Sequence, residues 1–201
     1  MKKGKLIVLD GADGSGKATQ AKLLLARLKK EGYRVKALDF PQYENNFFGK
    51  LVGECLAGKY GDFIALDPHI ASTLYAADRF ESKITLEKWL KDGYVVVLDR
   101  YVSANQIHQG GKITDAKKRK EFLTWLDTLE FKVYGIPRPH LVCYLDVPRA
   151  ISDRLLVQGR QGASTNRSLR GRKDLAEKNK AHLDAAREGA LKIIKQGNAW
   201  E

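Results

Sequence analysis

A three-layer, doubly wound parallel α/β sheet with a short arginine-rich lid is the fold this sequence predicts, and three observations predict it. A short apolar run, Lys5-Leu-Ile-Val-Leu-Asp10, passes through a glycine-rich turn into a stretch with helical spacing. Strand-like and helix-like patterns then alternate along the 201 residues, which is the pattern of βαβ units. In Tyr94-Val-Val-Val-Leu-Asp99 the apolar residues are consecutive, as expected for a strand buried on both faces of a parallel sheet.

The elements follow in order. Lys5 to Asp10 is the first strand, and Thr19 to Lys30 carries Ala, Leu and Lys at helical spacing. After the turn Glu31-Gly32-Tyr33, Arg34 to Asp39 reads as a second strand that Pro41 stops. Phe47 to Leu56 is helical up to Gly58, Pro68 opens a longer helix through Arg79 to Ser82, and Thr85 to Lys91 makes another. The third strand is Tyr94 to Asp99. Asp115 to Phe131 is predicted helical, with Lys117, Lys118, Arg119 and Lys120 as a solvated basic face. His140 to Asp146 is a fourth strand, Pro148 starts a helix, residues 159–171 are polar and glycine-broken, and Asp174 to Lys195 closes as one long helix.

Composition narrows the class. A chain of this length with 43% hydrophobic residues suits one domain over residues 1–201. The formal charge of +12 fits nucleic acid, an anionic membrane surface or phosphorylated ligands, and does not choose among them. Cys55 and Cys143 stand far apart without metal spacing, which predicts reduced thiols in a cytoplasmic protein. No segment approaches the roughly 18 apolar residues of a spanning helix, and Met1-Lys-Lys runs straight into the first strand, leaving no room for a targeting peptide.

The chemistry gathers where strands end. Gly11-Ala12-Asp13-Gly14-Ser15-Gly16-Lys17-Ala18 fits the phosphate loop G-x-x-x-x-G-K-[ST] except at its last position. Such a loop wraps a phosphate chain in backbone N–H groups at a helix start, with Lys17 reaching the outer phosphates and Thr19 beginning the helix. In a doubly wound sheet ligands collect beyond the carboxyl ends of the strands. Three groups fall there: the phosphate loop, Asp39-Phe40-Pro41 and Asp99-Arg100-Tyr101. Arg100 is the candidate grip for a second phosphate, since a guanidinium can hold phosphate oxygens bidentately.

Asp99-Arg100-Tyr101 is followed by Ser103-Ala-Asn105-Gln106 and Gln109-Gly110-Gly111, and this set resembles the thymidylate kinase family. Thr73-Leu74-Tyr75-Ala76-Ala77-Asp78-Arg79 resembles the family helix whose aromatic stacks on thymine, with an arginine one turn later. Phe40-Pro41 resembles its Phe-Pro loop, and Asp13 occupies the acidic position that binds the acceptor's 3′-hydroxyl. The resemblance implies a P-loop kinase fold and transfer of the γ-phosphate of ATP to dTMP with Mg²⁺. It also implies a homodimer, and a substrate site of Asp13, Phe40, Tyr75, Arg79, Arg100, Asn105 and His108.

Phosphoryl transfer needs positive charge around the moving phosphate and exclusion of water. Lys17, Arg79, Arg100 and the arginines of a lid over residues 154–172 supply that charge, with Arg154 and Arg160 as the leading lid arginines because Gly14 stands where some members carry one. That segment has no aromatics, which argues against a nucleic-acid face. Several residues depart from the family pattern. Ala18 removes the hydroxyl that usually meets Mg²⁺, leaving Asp99 as the metal candidate. Asp39 stands where arginine is frequent, and His108 where some members have a tyrosine that screens out the ribose 2′-hydroxyl. The resemblance expects a further strand and helix beginning near Trp200-Glu201, so a shortened form and a differently closed sheet are both open. A broader deoxynucleoside monophosphate kinase, a non-catalytic nucleotide-binding module and a nucleic-acid-associated P-loop protein remain as alternatives.

Overall fold

A computed structural model describes residues 3–162 and 180–195. Its centre is a four-stranded sheet of β1 (Lys5–Gly11), β2 (Val35–Asp39), β3 (Val95–Asp99) and β4 (Leu141–Leu145). The order is β2-β3-β1-β4 and every pair is parallel. Register brings Leu9 opposite Asp99 and Asp39 opposite Asp99, so the strands end in one row.

Side-chain alternation gives the sheet its two faces. Leu6 and Val8 of β1, Val96 and Leu98 of β3 and Val142 of β4 share one core with Leu86, Tyr101, Phe122 and Leu126. Those partners come from α4 (Lys83–Lys91), the turn after β3 and α6 (Ala116–Asp127). Full burial of each such side chain contributes about 1.5–3 kcal/mol. Helix α1 (Lys17–Lys30) packs on β1, β2 and β3; its one buried residue is Lys17, and Leu23 remains exposed. Strand β2 is an edge, with Lys36 and Ala37 exposed.

Helices α2 (Phe47–Leu56) and α3 (Pro68–Glu81) pack together around Val52, Cys55, Leu56, Phe63 and Ala71. Asp67 caps α3 by accepting from the His69 N–H at 2.8 Å, with Pro68 at the first helical position. Gly49 lets α2 reach the loop after β2, because a Cβ there would lie 2.2 Å from the Gln42 carbonyl oxygen. Helix α5 (Val102–His108) leads through the turn Gly110–Lys112 toward α6. Helix α7 (Arg149–Gly162) follows β4, and α8 (Lys180–Lys195) seats Ala186 and Ala190 against Ile107 of α5. Among the described residues no helix is long and apolar enough to cross a membrane.

The structure changes two expected boundaries. The helix expected from Asp115 to Phe131 stops at Asp127 and continues as a π-helical turn, Thr128–Val133. Helix α7 runs through Gly159 to Gly162, so the polar stretch does not break at its first glycine. Residues 163–179, with most of the expected lid and the start of the expected last helix, lie outside the described residues.

The π-helical turn has a purpose in packing. It brings Glu130 inward to Arg79 of α3, and both are almost fully buried. Arg79 Nε donates to Glu130 Oε2 at 3.1 Å and Nη2 donates to Oε1, while Nη1 lies 3.4 Å from the Tyr101 carbonyl oxygen. A buried charge left without its partner is far more costly than a matched apolar pair. Glu130→Gln is therefore expected to lose about 3–5 kcal/mol in urea unfolding, and the double variant Arg79→Met, Glu130→Leu to lose much less.

Candidate active site

The site forms because three strands carry acidic residues at or next to their carboxyl ends, with Asp39 and Asp99 level with Leu9, and Asp10 one residue further. Asp10 closes β1 with no exposed surface. Its Oδ1 accepts from the Gly11 N–H at 2.8 Å, and its Oδ2 accepts from the Ser103 hydroxyl at 2.6 Å. One buried carboxylate thus fixes both the start of the phosphate loop and α5. Neither Asp10 nor Ser103 was singled out in the sequence; a carboxylate ending an apolar strand was the available signal.

Residues 11–17 curl back toward α1, with the Ser15 N–H donating to the Ala12 carbonyl at 3.1 Å. Gly16 precedes the helix with φ 86°, and no side chain caps it, so the N–H groups of the first turn face the loop's hollow. The Ser15 hydroxyl is buried there without a partner among the described residues. Lys17 is 7% exposed; its Nζ donates to the carbonyls of Gly11 at 3.0 Å and Ala12 at 2.9 Å. Burial and the nearby Arg100 lower the Lys17 pKa, against the pull of Asp13, Asp99 and Asp10. Ala18 and Thr19 point outward on the exposed side of the first turn.

Arg100 follows β3 with φ 67°, a left-handed turn unusual for a side chain of this size. Its N–H still donates to the Leu9 carbonyl at 2.9 Å, and the turn sends its side chain over the end of β1. There Nη2 reaches Asp13 Oδ1 at 2.5 Å, Nη1 lies 3.0 Å from His108 Nε2, and Asp10 is 3.9 Å away. Asp13 is also 3.8 Å from Lys17 Nζ. Burial by itself would raise the Asp13 carboxyl, but Arg100 and Lys17 outweigh it and hold Asp13 well below the usual carboxylate range. Asp99, half-buried beside them, is pushed up by burial and by Asp10 and Asp39, with Lys17 and Arg100 opposing.

Side chains of α3, α5 and the loop after β2 lie in the same region of the fold. Tyr75 is half-buried with its ring 5.8 Å from Phe63. Asn105 is 2% exposed and its Nδ2 donates to the Ser72 carbonyl at 3.2 Å, one helical turn before Tyr75. Phe40 is buried against Tyr101, at a ring distance of 5.8 Å, so it anchors its loop in the core. Asp39 Oδ1 accepts from Gln42 Nε2 at 2.9 Å, and Gln42 Oε1 accepts from Asn45 at 2.7 Å. Asp78 holds the same loop by accepting from the Gln42 N–H at 3.1 Å and Asn46 Nδ2 at 2.8 Å. The structure thus brings together Asp13, Lys17, Asp99, Arg100 and His108.

Arg79 does not join them. Expected at the acceptor base, its guanidinium is instead turned inward to Glu130, because a buried cation is held by the nearest buried carboxylate. Arg154 is exposed on α7. Arg160 lies on the same helix, outside the residues whose side chains are described, and Arg167, Arg170 and Arg172 lie outside the described residues altogether.

The thymidylate kinase family model matches residues 9–201. The thymidylate kinase of Mycobacterium tuberculosis is 31% identical over 134 residues, which cover 67% of this chain and 62% of that protein; the match spans less than two thirds of that relative's length. The human thymidylate kinase is 31% identical over 173 residues, covering 84% of this chain and 75% of its own. A probable thymidylate kinase of Thermococcus onnurineus is 38% identical over 148 residues, covering 71% and 66%. A solved structure of thymidylate kinase from Candida albicans superposes with a TM-score of 0.72, covering 99% of this chain and 82% of that one at 23% identity, a likeness of fold.

The depressed Asp13 carboxyl makes a prediction about acid. Its contact with Arg100 stabilises the fold fully above the unfolded carboxylate range, near 3.9, and loses that contribution as pH falls toward the lower folded value. Asp13→Asn is expected to melt below wild type at neutral pH, with the gap narrowing below about pH 4; a gap independent of pH would sink the assignment.

Proposed function

The chain belongs to the thymidylate kinase family, and from that premise we propose that it transfers the γ-phosphate of ATP to dTMP, giving dTDP and ADP. The observation that carries the reading is the convergence of Lys17, Asp13 and Arg100, in which one carboxylate bridges a phosphate-loop lysine and a strand-end arginine. Two phosphate-binding cations spaced by a single side chain suit a donor and an acceptor phosphate lying end to end.

In this reading the loop N–H groups of residues 11–19 hold the ATP phosphates and Lys17 neutralises the transferring group. Arg100 grips the acceptor phosphate, Asp13 takes the 3′-hydroxyl, and Arg154 and Arg160 approach from the lid. Tyr75 stacks on the base. With its amino group given to Ser72, Asn105 offers Oδ1, an acceptor that matches the N3–H of thymine and not the N3 of cytosine. Mg²⁺ bound with ATP would supply charge neutralisation at the phosphates. Ala18 brings no hydroxyl, and among the described residues no group of three or more His, Cys, Asp or Glu can hold a metal ion by itself. That fits an ion held mainly by nucleotide oxygens and water, with Asp99 as the protein's contribution. Cys55 and Cys143, which form no disulfide among the described residues, accord with a cytoplasmic enzyme.

The homodimer belongs to the same proposal, and an apolar surface supports it. Phe47, Phe80, Ile84 and Val133 are 70%, 46%, 79% and 68% exposed. Glu81, next to Phe80, joins α3 to the start of α2 by accepting from the N–H groups of Phe47 and Phe48, both at 2.8 Å, and Phe80 lies 4.9 Å from the Tyr134 ring. Large apolar side chains exposed on these neighbouring elements suit an interface.

Coupled ADP release with a panel of monophosphates tests the activity. The expected order is dTMP, then dUMP, with dCMP and purines poor; Lys17→Ala should lower kcat by about 10²-fold or more in a folded protein. A better purine acceptor would remove the Tyr75 and Asn105 assignments, and near-normal turnover in Lys17→Ala would remove the mechanism. For the interface, sedimentation should find a dimer that Ile84→Glu converts to monomer; an unchanged dimer would place the interface elsewhere.

A further inference from the structure

Arg100 is held from two sides by groups of opposite character. On one side is the anionic Asp13. On the other, Nη1 lies 3.0 Å from His108 Nε2. A guanidinium has only N–H donors and no lone pair to give, so Nε2 must accept. The imidazole at this contact is therefore neutral, with its proton on Nδ1. Because His108 ends α5 and Arg100 precedes it, the contact ties the strand-end turn to the helix that Asp10 and Ser103 already fix.

We propose that His108 is a positioning residue for the acceptor-phosphate site: in its neutral form it holds the Arg100 guanidinium in place without cancelling any of its charge. This rests on the kinase reading and assigns His108 a part distinct from sugar selection. Asp13 alone would orient Arg100 while offsetting its charge; a neutral acceptor orients it and leaves the charge for phosphate. Protonation of His108 would put a second cation, with no lone pair, against the first, and the hold would be lost.

The charged surroundings are specific. Asp13 on the phosphate loop, whose carboxyl His108 helps to lower when the imidazole is charged, is an anion that favours His108 protonation, and Lys17 of α1 lies 3.8 Å from Asp13. Asp10 at the end of β1 lies 3.9 Å from Arg100. On β4, burial pushes the Tyr144 hydroxyl up to about 12, so it stays neutral. From α8, which packs on α5, Arg187 is paired to Asp146 at 2.7 Å and Asp184 to Arg149 at 2.8 Å. Lys112, after α5, donates to the Leu66 carbonyl at 3.3 Å. Helix α5 carries no other titratable side chain.

The test compares wild type with His108→Gln, whose amide oxygen can accept from Arg100 but does not titrate, and with His108→Leu, which cannot accept. Full-length protein is titrated with dTMP by calorimetry and assayed at steady state between about pH 5.5 and 8, the range in which imidazoles titrate. The acceptor's own second phosphate ionisation, near 6, weakens binding in every variant and cancels in the comparison. At the alkaline end His108→Gln should bind dTMP within about threefold of wild type, and His108→Leu about tenfold more weakly, with the KM for ATP unchanged in both. Toward acid, wild type should lose affinity more steeply than His108→Gln. Among the four histidines, the nitrogen-15 signal absent from His108→Gln should report the Nδ1-protonated tautomer, a readout that survives even if His108→Leu fails to fold.

Parallel pH profiles in wild type and His108→Gln, wild-type binding that strengthens toward acid relative to His108→Gln, or an Nε2-protonated His108 would each overturn the proposal. Absence of turnover with any monophosphate in wild type would instead remove the kinase reading, so the two failures are separable.

Discussion

The structure of the site depends on holding one half-buried guanidinium at the end of β3. Arg100 adopts a left-handed backbone turn to reach across β1, and such a turn persists only where its surroundings fix it. Here they are Asp13, Asp10 and His108, drawn from the phosphate loop, the central strand and α5. These contacts make the three segments a single unit. The carboxylates also raise the Arg100 pKa against its burial, so its charge is permanent over any working pH.

Asp10 gives that unit its base. Its two oxygens are committed to Gly11 and Ser103, so this buried carboxylate is satisfied by two hydrogen-bond donors, with Arg100 as a longer ion-pair partner at 3.9 Å. With Gly16 supplying a left-handed backbone before α1, the loop's shape comes from backbone geometry and one carboxylate, whereas the reach of Lys17 comes from side-chain contacts alone. Lys17 lies on its own loop carbonyls, where a phosphate would compete for it.

The strands were legible because their apolar runs are local signals, and β1, β3 and β4 appear within a residue or so of expectation; the register that aligns Asp39 and Asp99 follows once the strands are parallel. Helix α2 was legible to the residue, from periodicity between Phe47 and Leu56. What failed was non-local. The continuation past Asp127 as a π-helical turn answers a need at Arg79, 51 residues away from Glu130, and no helical periodicity encodes a partner at that distance. The same blindness sent Arg79 to the base in the sequence reading, since its helix looked right while its carboxylate could not be seen. Asp10 and Ser103, 93 residues apart, were missed for the same reason. Helix α7 passed through Gly159 because a single glycine costs only about 1 kcal/mol in a helix and is not an obligatory stop.

The distribution of charge completes the argument. The chain carries a formal +12, yet the strand ends collect Asp10, Asp13, Asp39 and Asp99 around Lys17 and Arg100. A site made only of cations would attract phosphate, but its cations would repel one another and scatter in the free protein. Interleaved carboxylates keep Lys17 and Arg100 close and oriented, and the excess positive charge elsewhere draws anions toward the site over distances of about a Debye length. On the proposed kinase reading, entering phosphates substitute for Asp13 as partners of Lys17 and Arg100, exchanging one charged contact for another rather than creating one from water. That exchange makes selectivity depend on geometry, because a phosphate gains only where it fits both cations better than the carboxylate already there.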